Sequence, residues 1–421
     1  MINYQQFTLE NGLKVLVHED PSSEMAVFNL LYKVGSRNEV LGKTGLAHYF
    51  EHLMFGGSRH VANFDSELER VGGECNAFTN TDITNYYISL PAINIETAFW
   101  LESDRMMHLS LYEKTIEAQR SVVIEEFKQR YLNQPYGDAM HHVRNLAYQL
   151  HPYRWPTIGE KIEDIERFEK KDLEDFFSKY YSPDNAILAI AGNIKPSRAF
   201  QLAQKWFGAI PPSPVKHDAP PAEPVQRAKR TKTVFAEVPT DALYKVYHIP
   251  GRLEEDYIPC DLITDIIGFG RSSLLEQKLV KNSSLFASIS AYVLGNEDPG
   301  LMVITGKMEK GVDAERAEEA LDRVLDEFKS TAIDDKTLEK IKNQSEAIKT
   351  YESVKLLNRA MKLAYYSHLG SPDLYEKEFQ IKLKTTSEQI LRAAKKYMTE
   401  ENASVVYYKR EQKATLASQE V

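Results

Sequence analysis

The sequence predicts an α+β protein built from two repeated lobes, and three observations carry that prediction. Each half of the 421-residue chain opens with strand-rich sequence, runs through a block of helices and closes on an apolar strand. Residues 211–224, Pro-Pro-Ser-Pro-Val-Lys-His-Asp-Ala-Pro-Pro-Ala-Glu-Pro, hold six of the 18 prolines, which excludes helix and central strand there. Finally, Leu173, Lys179-Tyr180 and Asn185-Ala-Ile-Leu188 match Ile390, Lys396-Tyr397 and Asn402-Ala-Ser-Val405 at a constant offset of 217 residues. In both copies a helix ends at Lys-Tyr and a polar turn leads into an apolar strand. The expected organisation is therefore a first lobe over 1–210, a stiff extended linker over 211–224 and a second lobe over 225–421.

The first lobe carries the most informative run, His48-Tyr-Phe-Glu-His52. Thr44-Gly45 can open a helix, Leu46 to Phe55 contains no proline, and Gly56-Gly57 supplies a stop. At about 100° per residue, Leu46, Ala47, Phe50, Leu53 and Met54 fall on one apolar arc. His48, Glu51 and His52 gather on nearly the opposite arc. A lone histidine in a helix is usually a core residue, but two imidazoles one turn apart on the polar side can reach the same cation. His-x-x-Glu-His is the inverted order of the zinc protease pattern His-Glu-x-x-His, so the chemistry it points to is metal-assisted hydrolysis of a peptide bond.

A zinc site of this kind needs a third protein ligand and an open fourth position. The segment Thr115-Ile-Glu-Ala-Gln-Arg-Ser-Val-Val-Ile-Glu-Glu-Phe127 reads as a helix, with Ile116, Val123 and Phe127 at helical spacing. Its carboxylates are Glu117, Glu125 and Glu126, and spacing alone selects none of them. A solvated charged face accounts for any single one. Between the two helices, Cys75-Asn-Ala-Phe-Thr79 follows a Gly-Gly turn and precedes the alternating strand Ile83–Leu90.

Together, His48–His52, Val71-Gly-Gly-Glu-Cys-Asn-Ala-Phe-Thr79 and Gln119-Arg-Ser-Val-Val-Ile-Glu-Glu126 resemble the inverted zinc peptidases, the family of pitrilysin, insulin-degrading enzyme and the mitochondrial processing peptidase. Asn11-Gly-Leu-Lys-Val-Leu-Val17, His151-Pro-Tyr153 and Tyr180-Tyr-Ser-Pro-Asp-Asn-Ala186 extend the resemblance over the whole first half. It implies two homologous lobes, each a mainly antiparallel β-sheet packed by α-helices. It also implies one zinc ion per chain held by His48, His52 and Glu126, with Glu51 as general base on the zinc-bound water. The family's distal ligand ends a Glu-x6-Glu pattern. That assigns Glu126 and places Gln119 where a supporting carboxylate usually stands, a change that loosens orientation of the site more than metal binding. Substrate would add as a strand along Cys75–Thr79, touching Asn76, Ala77 and Phe78.

The second lobe has no His-x-x-Glu-His. Many relatives carry a Gly-rich stretch there, followed by an arginine and a tyrosine that help bind substrate. Here the stretch is Gly268-Phe-Gly-Arg-Ser-Ser-Leu-Leu275, and the two positions fall on Val280 and Ala287, neither of which donates a side-chain hydrogen bond. Lys281 and Arg271 are the nearby basic residues, but the register supports neither as a substitute. The chain thus resembles the catalytic member of a hetero-oligomer whose homologous partner supplies the pair, with a homodimer as second choice. A catalytically weak structural or assembly subunit that keeps the fold is the competing reading.

Length and composition agree with a soluble enzyme. A net charge of −9 disfavours nucleic acid, and no long apolar span marks a membrane segment. Cys75 and Cys260 are the only cysteines, too few for a disulfide framework. Met1-Ile-Asn-Tyr-Gln-Gln-Phe7 lacks a basic-then-apolar leader, so the expected location is cytoplasmic.

Overall fold

A computed structural model describes residues 2–215 and 219–411; residues 216–218 of the expected linker lie outside the described residues. Among the described residues, eleven strands form two sheets. The first contains β1 (Gln5–Thr8), β2 (Lys14–Glu19), β3 (Met25–Tyr32), β4 (Glu74–Thr79), β5 (Thr84–Pro91) and β6 (Ala186–Gly192), in the order β1-β2-β6-β3-β5-β4. The second contains β7 (Arg230–Ala236), β8 (Ala242–Ile249), β9 (Phe286–Leu294), β10 (Gly300–Met308) and β11 (Ala403–Arg410), in the order β7-β11-β8-β10-β9. Each sheet has one parallel pair, β2 with β6 and β7 with β11, and every other pairing is antiparallel.

Setting β1 aside, the two orders are the same, and two of the equivalent pairs keep the offset of 217: Met25 opens β3 and Ala242 opens β8, Ala186 opens β6 and Ala403 opens β11. The repeat extends to single hydrogen bonds. Asn185 Nδ2 donates to the carbonyl of Tyr180 at 2.8 Å, and Asn402 Nδ2 donates to that of Tyr397 at 2.7 Å. In both places the amide satisfies a carbonyl at the end of a helix (Lys170–Tyr180 and Ser387–Tyr397) and sets the turn into the central strand.

Two compact units emerge, and they do not follow the chain halves. One comprises residues 1–127, 150–222 and 342–383; the other comprises 128–149, 223–341 and 384–421. In the first, the helix Leu356–His368 lays Ala360, Leu363 and Ala364 on Leu16, Val27, Ile187 and Ala189 of the sheet. In the second, the helix Ala139–Ala147 packs against β7, β8 and β11. Residues 139 and 356 are themselves 217 apart, so the exchanged helices are equivalent members of the repeat. One boundary between the units falls between Ala222 and Glu223.

Around the first sheet lie four helices that matter for the site: α1 (Leu46–Leu53), α2 (Phe64–Glu69), α3 (Ile95–His108) and α4 (Glu113–Phe127). Strand β4 is the outer strand of that sheet, paired only with β5. Its residues alternate, with Asn76 and Phe78 exposed and Cys75, Ala77 and Thr79 half-buried.

Candidate active site

Helix α1 begins at Gly45, whose φ of 94° is left-handed, and a Cβ there would sit 2.6 Å from the carbonyl oxygen of Ile158. Only glycine meets both demands. The exposed amides of the first turn are taken by a buried carboxylate: Glu39 accepts from the amides of Gly45 and Ala47, each at 2.8 Å. Burial pushes the Glu39 carboxyl up to about 8, against the lowering effect of those two amides. The helix ends at Leu53, two residues short of the expected Phe55.

The two-arc picture of α1 needs one correction. Leu46, Ala47, Phe50 and Leu53 are buried as expected, but so are Tyr49 and His48, the latter only 7 % exposed. The reason is α4, which packs along α1. Tyr49 donates its hydroxyl to the carbonyl of Ile116 on α4. The α4 side of the contact is fixed by buried Ile116, Val123 and Phe127, the three apolar residues expected from sequence. Farther along α4, Arg120 donates to the carbonyls of Glu166 at 3.0 Å and Phe168 at 2.8 Å.

This packing brings three donors together. His48 Nε2 lies 3.6 Å and His52 Nε2 3.3 Å from Glu126 Oε2. The imidazole centroids are 4.8 Å apart at 69°. All three donor atoms lie within 4.8 Å of one another. A tetrahedral zinc with bonds of about 2.0–2.1 Å holds its donors about 3.3 Å apart, so two imidazoles and a carboxylate in this arrangement fit the ion. Of the three acids that sequence could not separate, Glu117 and Glu125 are exposed and Glu126 is turned into the site. Gln119 lies two turns earlier on α4, half-buried, and among the described residues its side chain makes no hydrogen bond.

Glu51 shares α1 with both histidines, and Thr79 at the end of β4 donates its hydroxyl to Glu51 Oε2 at 2.6 Å. The acid and the outer strand are therefore joined through one side chain. Asn76, Ala77 and Phe78 precede Thr79 on that strand. Sequence reading missed the roles of Thr79 and Glu39; Thr79 at least stood in the strand singled out, whereas nothing in the pattern marked Glu39. The neighbouring thiol of Cys75 is pushed up to about 12, first by burial and then by Asp65, so it stays protonated and offers no competing nucleophile.

In the second unit, Val280 packs against the apolar core, while Ala287 is exposed on β9. Lys281 donates to the carbonyl of Arg271 at 3.1 Å, which ties the basic candidate into its own loop. No helix among the described residues is long and apolar enough to cross a membrane.

Residues 14–161, which contain all four site residues, match the family described as insulinase (peptidase family M16), and residues 167–345 match the peptidase M16 inactive domain. The zinc protease PqqE of Helicobacter pylori is 32% identical over 336 residues, 78% of this chain and 76% of that protein. The mitochondrial-processing peptidase subunit beta of Saccharomyces cerevisiae is 31% identical over 208 residues, covering 49% of this chain but only 44% of that one. A crystal structure of a protease from Helicobacter pylori superposes with a TM-score of 0.93 at 29% identity, covering 97% of this chain and 100% of the other. Pitrilysin shares the fold, with a TM-score of 0.77 at 22% identity over 98% of this chain and 46% of pitrilysin. The chain belongs to peptidase family M16.

Proposed function

We propose that this chain is a zinc metalloendopeptidase that hydrolyses peptides or unfolded segments, with His48, His52 and Glu126 as ligands and Glu51 as general base. One observation carries the reading: three metal-competent side chains from two helices converge, and an acid on the helix of both histidines is bonded to the outer strand of the first sheet. When bound, zinc would supply Lewis acidity that polarises a carbonyl and brings the pKa of a water near 7. Glu51 would accept that water's proton and pass it to the departing amine. Thr79 fixes which way the Glu51 carboxylate faces. An extended peptide would add to the free edge of β4 by backbone pairing, against Asn76, Ala77 and Phe78.

The chain is further proposed to act in a chamber completed by a homologous subunit, with a homodimer as the second arrangement. Val280 and Ala287 support this, since neither can donate to substrate, and one relative is by name a subunit of a processing peptidase. The same two residues favour the alternative of a weakly catalytic assembly subunit. Cleavage of a quenched, extended peptide separates these readings. The expected result is turnover that a chelator abolishes and zinc restores, rising when a homologous subunit is added. Cleavage indifferent to chelator would overturn the metal mechanism. Full activity of the chain alone would overturn the need for a different partner.

A further inference from the structure

We propose that His60, Asp104 and His108 form a second divalent-metal site, suited to a transition metal such as zinc, cobalt or nickel. Asp104 and His108 stand four residues apart on α3, so both side chains leave one face of the helix a turn apart. His60 comes from the loop after α1, and backbone contacts dock that loop on the end of α3. The amide of Arg59 donates to the carbonyl of His108 at 3.0 Å and that of Ser110 to the carbonyl of Gly57 at 3.2 Å, flanking a bridge between Ser58 and Leu109. The three donor atoms lie within 4.8 Å of one another, the same bound that the His48, His52 and Glu126 set meets.

The carboxylate at the centre is fixed before any ion arrives. Asp104 is buried, and its Oδ2 accepts from the Ser58 hydroxyl and from the His60 amide at 3.3 Å. Its Oδ1 is left to face His60 Nδ1 at 2.6 Å, while the His60 and His108 rings meet edge-on with centroids 5.3 Å apart. A metal ion would take the place of the hydrogen between Oδ1 and Nδ1. His60 then binds as the tautomer protonated at Nε2, with that proton exchanged through solvent from Nδ1, and the two atoms open to the roughly 3.3 Å spacing of donors around one ion. The His60 side chain is 56% exposed, so its ring has room for that movement and the ion has a path in. Two imidazoles and one carboxylate suit zinc, cobalt or nickel and disfavour magnesium and calcium, which prefer oxygen donors. The cation would clamp the loop after α1 to the end of α3, immediately before the segment that leads into α4.

Zinc stoichiometry after equilibrium dialysis tests this, using the full chain, His60→Ala, His108→Ala and the His48→Ala/His52→Ala double variant. Both single positions lie at the surface or half-buried, so their loss leaves the fold intact. Two equivalents are expected for the wild type, and one each for H60A, H108A and the double variant. As a second reading, zinc should raise the Tm of the double variant, and adding His60→Ala should remove that rise. Two equivalents still bound by the His60→Ala and His108→Ala variants would overturn the proposal. So would a single equivalent that disappears with His48 and His52. A single equivalent that survives their loss but disappears with His60 would uphold the second site while counting against the first.

Discussion

Thr79 determines where Glu51 can act. Its hydroxyl links β4 to the carboxylate proposed as general base, at 2.6 Å. Replacing Thr79 with valine keeps the shape and removes the donor, so the carboxylate gains freedom without any loss of a metal ligand. Turnover is expected to fall by about 10- to 100-fold with zinc content unchanged, the usual cost of removing a group that orients a metal site. Steady-state kinetics with metal analysis on the same sample checks this; unchanged turnover would show that Glu51 is positioned by other contacts. At this scale the sequence was informative about residues that belong to a spaced pattern. His48, Glu51 and His52 were legible because a helix repeats every 3.6 residues. The choice of Glu126 over Glu117 and Glu125 was not legible from spacing, because it depends on which flank of α4 meets α1. Resemblance to a family supplied what periodicity could not.

Among the elements, α1 is held by partners that no local pattern reveals. Glu39 reaches its first turn from a preceding loop, and Tyr49 reaches α4 across the helix pair. Burial of His48 accompanies that second contact, so the arc opposite the apolar one is also covered, which an isolated amphipathic helix does not reveal. Glu39 also has a consequence for pH. Its carboxyl sits near 8 in the folded chain against 4.5 ordinarily, so the folded state holds that proton more tightly than the unfolded chain does. The corresponding stabilisation is fully present below about pH 4.5 and is lost as pH rises through 8, with a bound on the order of a few kcal/mol. Glu39→Gln, which cannot ionise, should flatten stability between pH 5 and 8, while wild type loses Tm over that interval. Parallel Tm profiles for the two proteins would contradict the assignment.

For the whole molecule, the repeat was the most legible feature, since offset residues share both local pattern and local hydrogen bonds, as Asn185 and Asn402 do. The exchanged helices were not legible. An amphipathic helix such as Leu356–His368 presents the same apolar face whichever sheet it covers, so sequence does not say which unit it joins. The two units are also expected to meet different pH limits. In the second, buried Glu318 is bonded by Lys245 and Lys229, each at 2.8 Å, and by the Tyr407 hydroxyl. Burial alone would raise its carboxyl, but these three donors outweigh burial and hold it down to about 2. That stabilisation is present above about pH 4.5 and is lost as pH falls toward 2. Glu318→Gln should destabilise the second unit at neutral pH by about 1.5–3 kcal/mol, because buried Lys245 loses one of its two counter-charges and keeps Asp322 at 2.5 Å. Hydrogen exchange resolved by segment checks this: protection should drop in β8 and in the helix Ala314–Ser330 while the first sheet is spared. Equal loss in both sheets would show that the units unfold as one.

The central claim is that His48, His52 and Glu126 hold a catalytic zinc while Glu51 moves the proton. Glu51→Gln tests it most directly, with zinc content and peptide turnover read from one preparation in the presence of any required partner. The expected result is a full equivalent of zinc at His48, His52 and Glu126 with turnover reduced by about 10²–10⁴-fold, the range for a lost general base. Undiminished turnover in that variant would contradict the account.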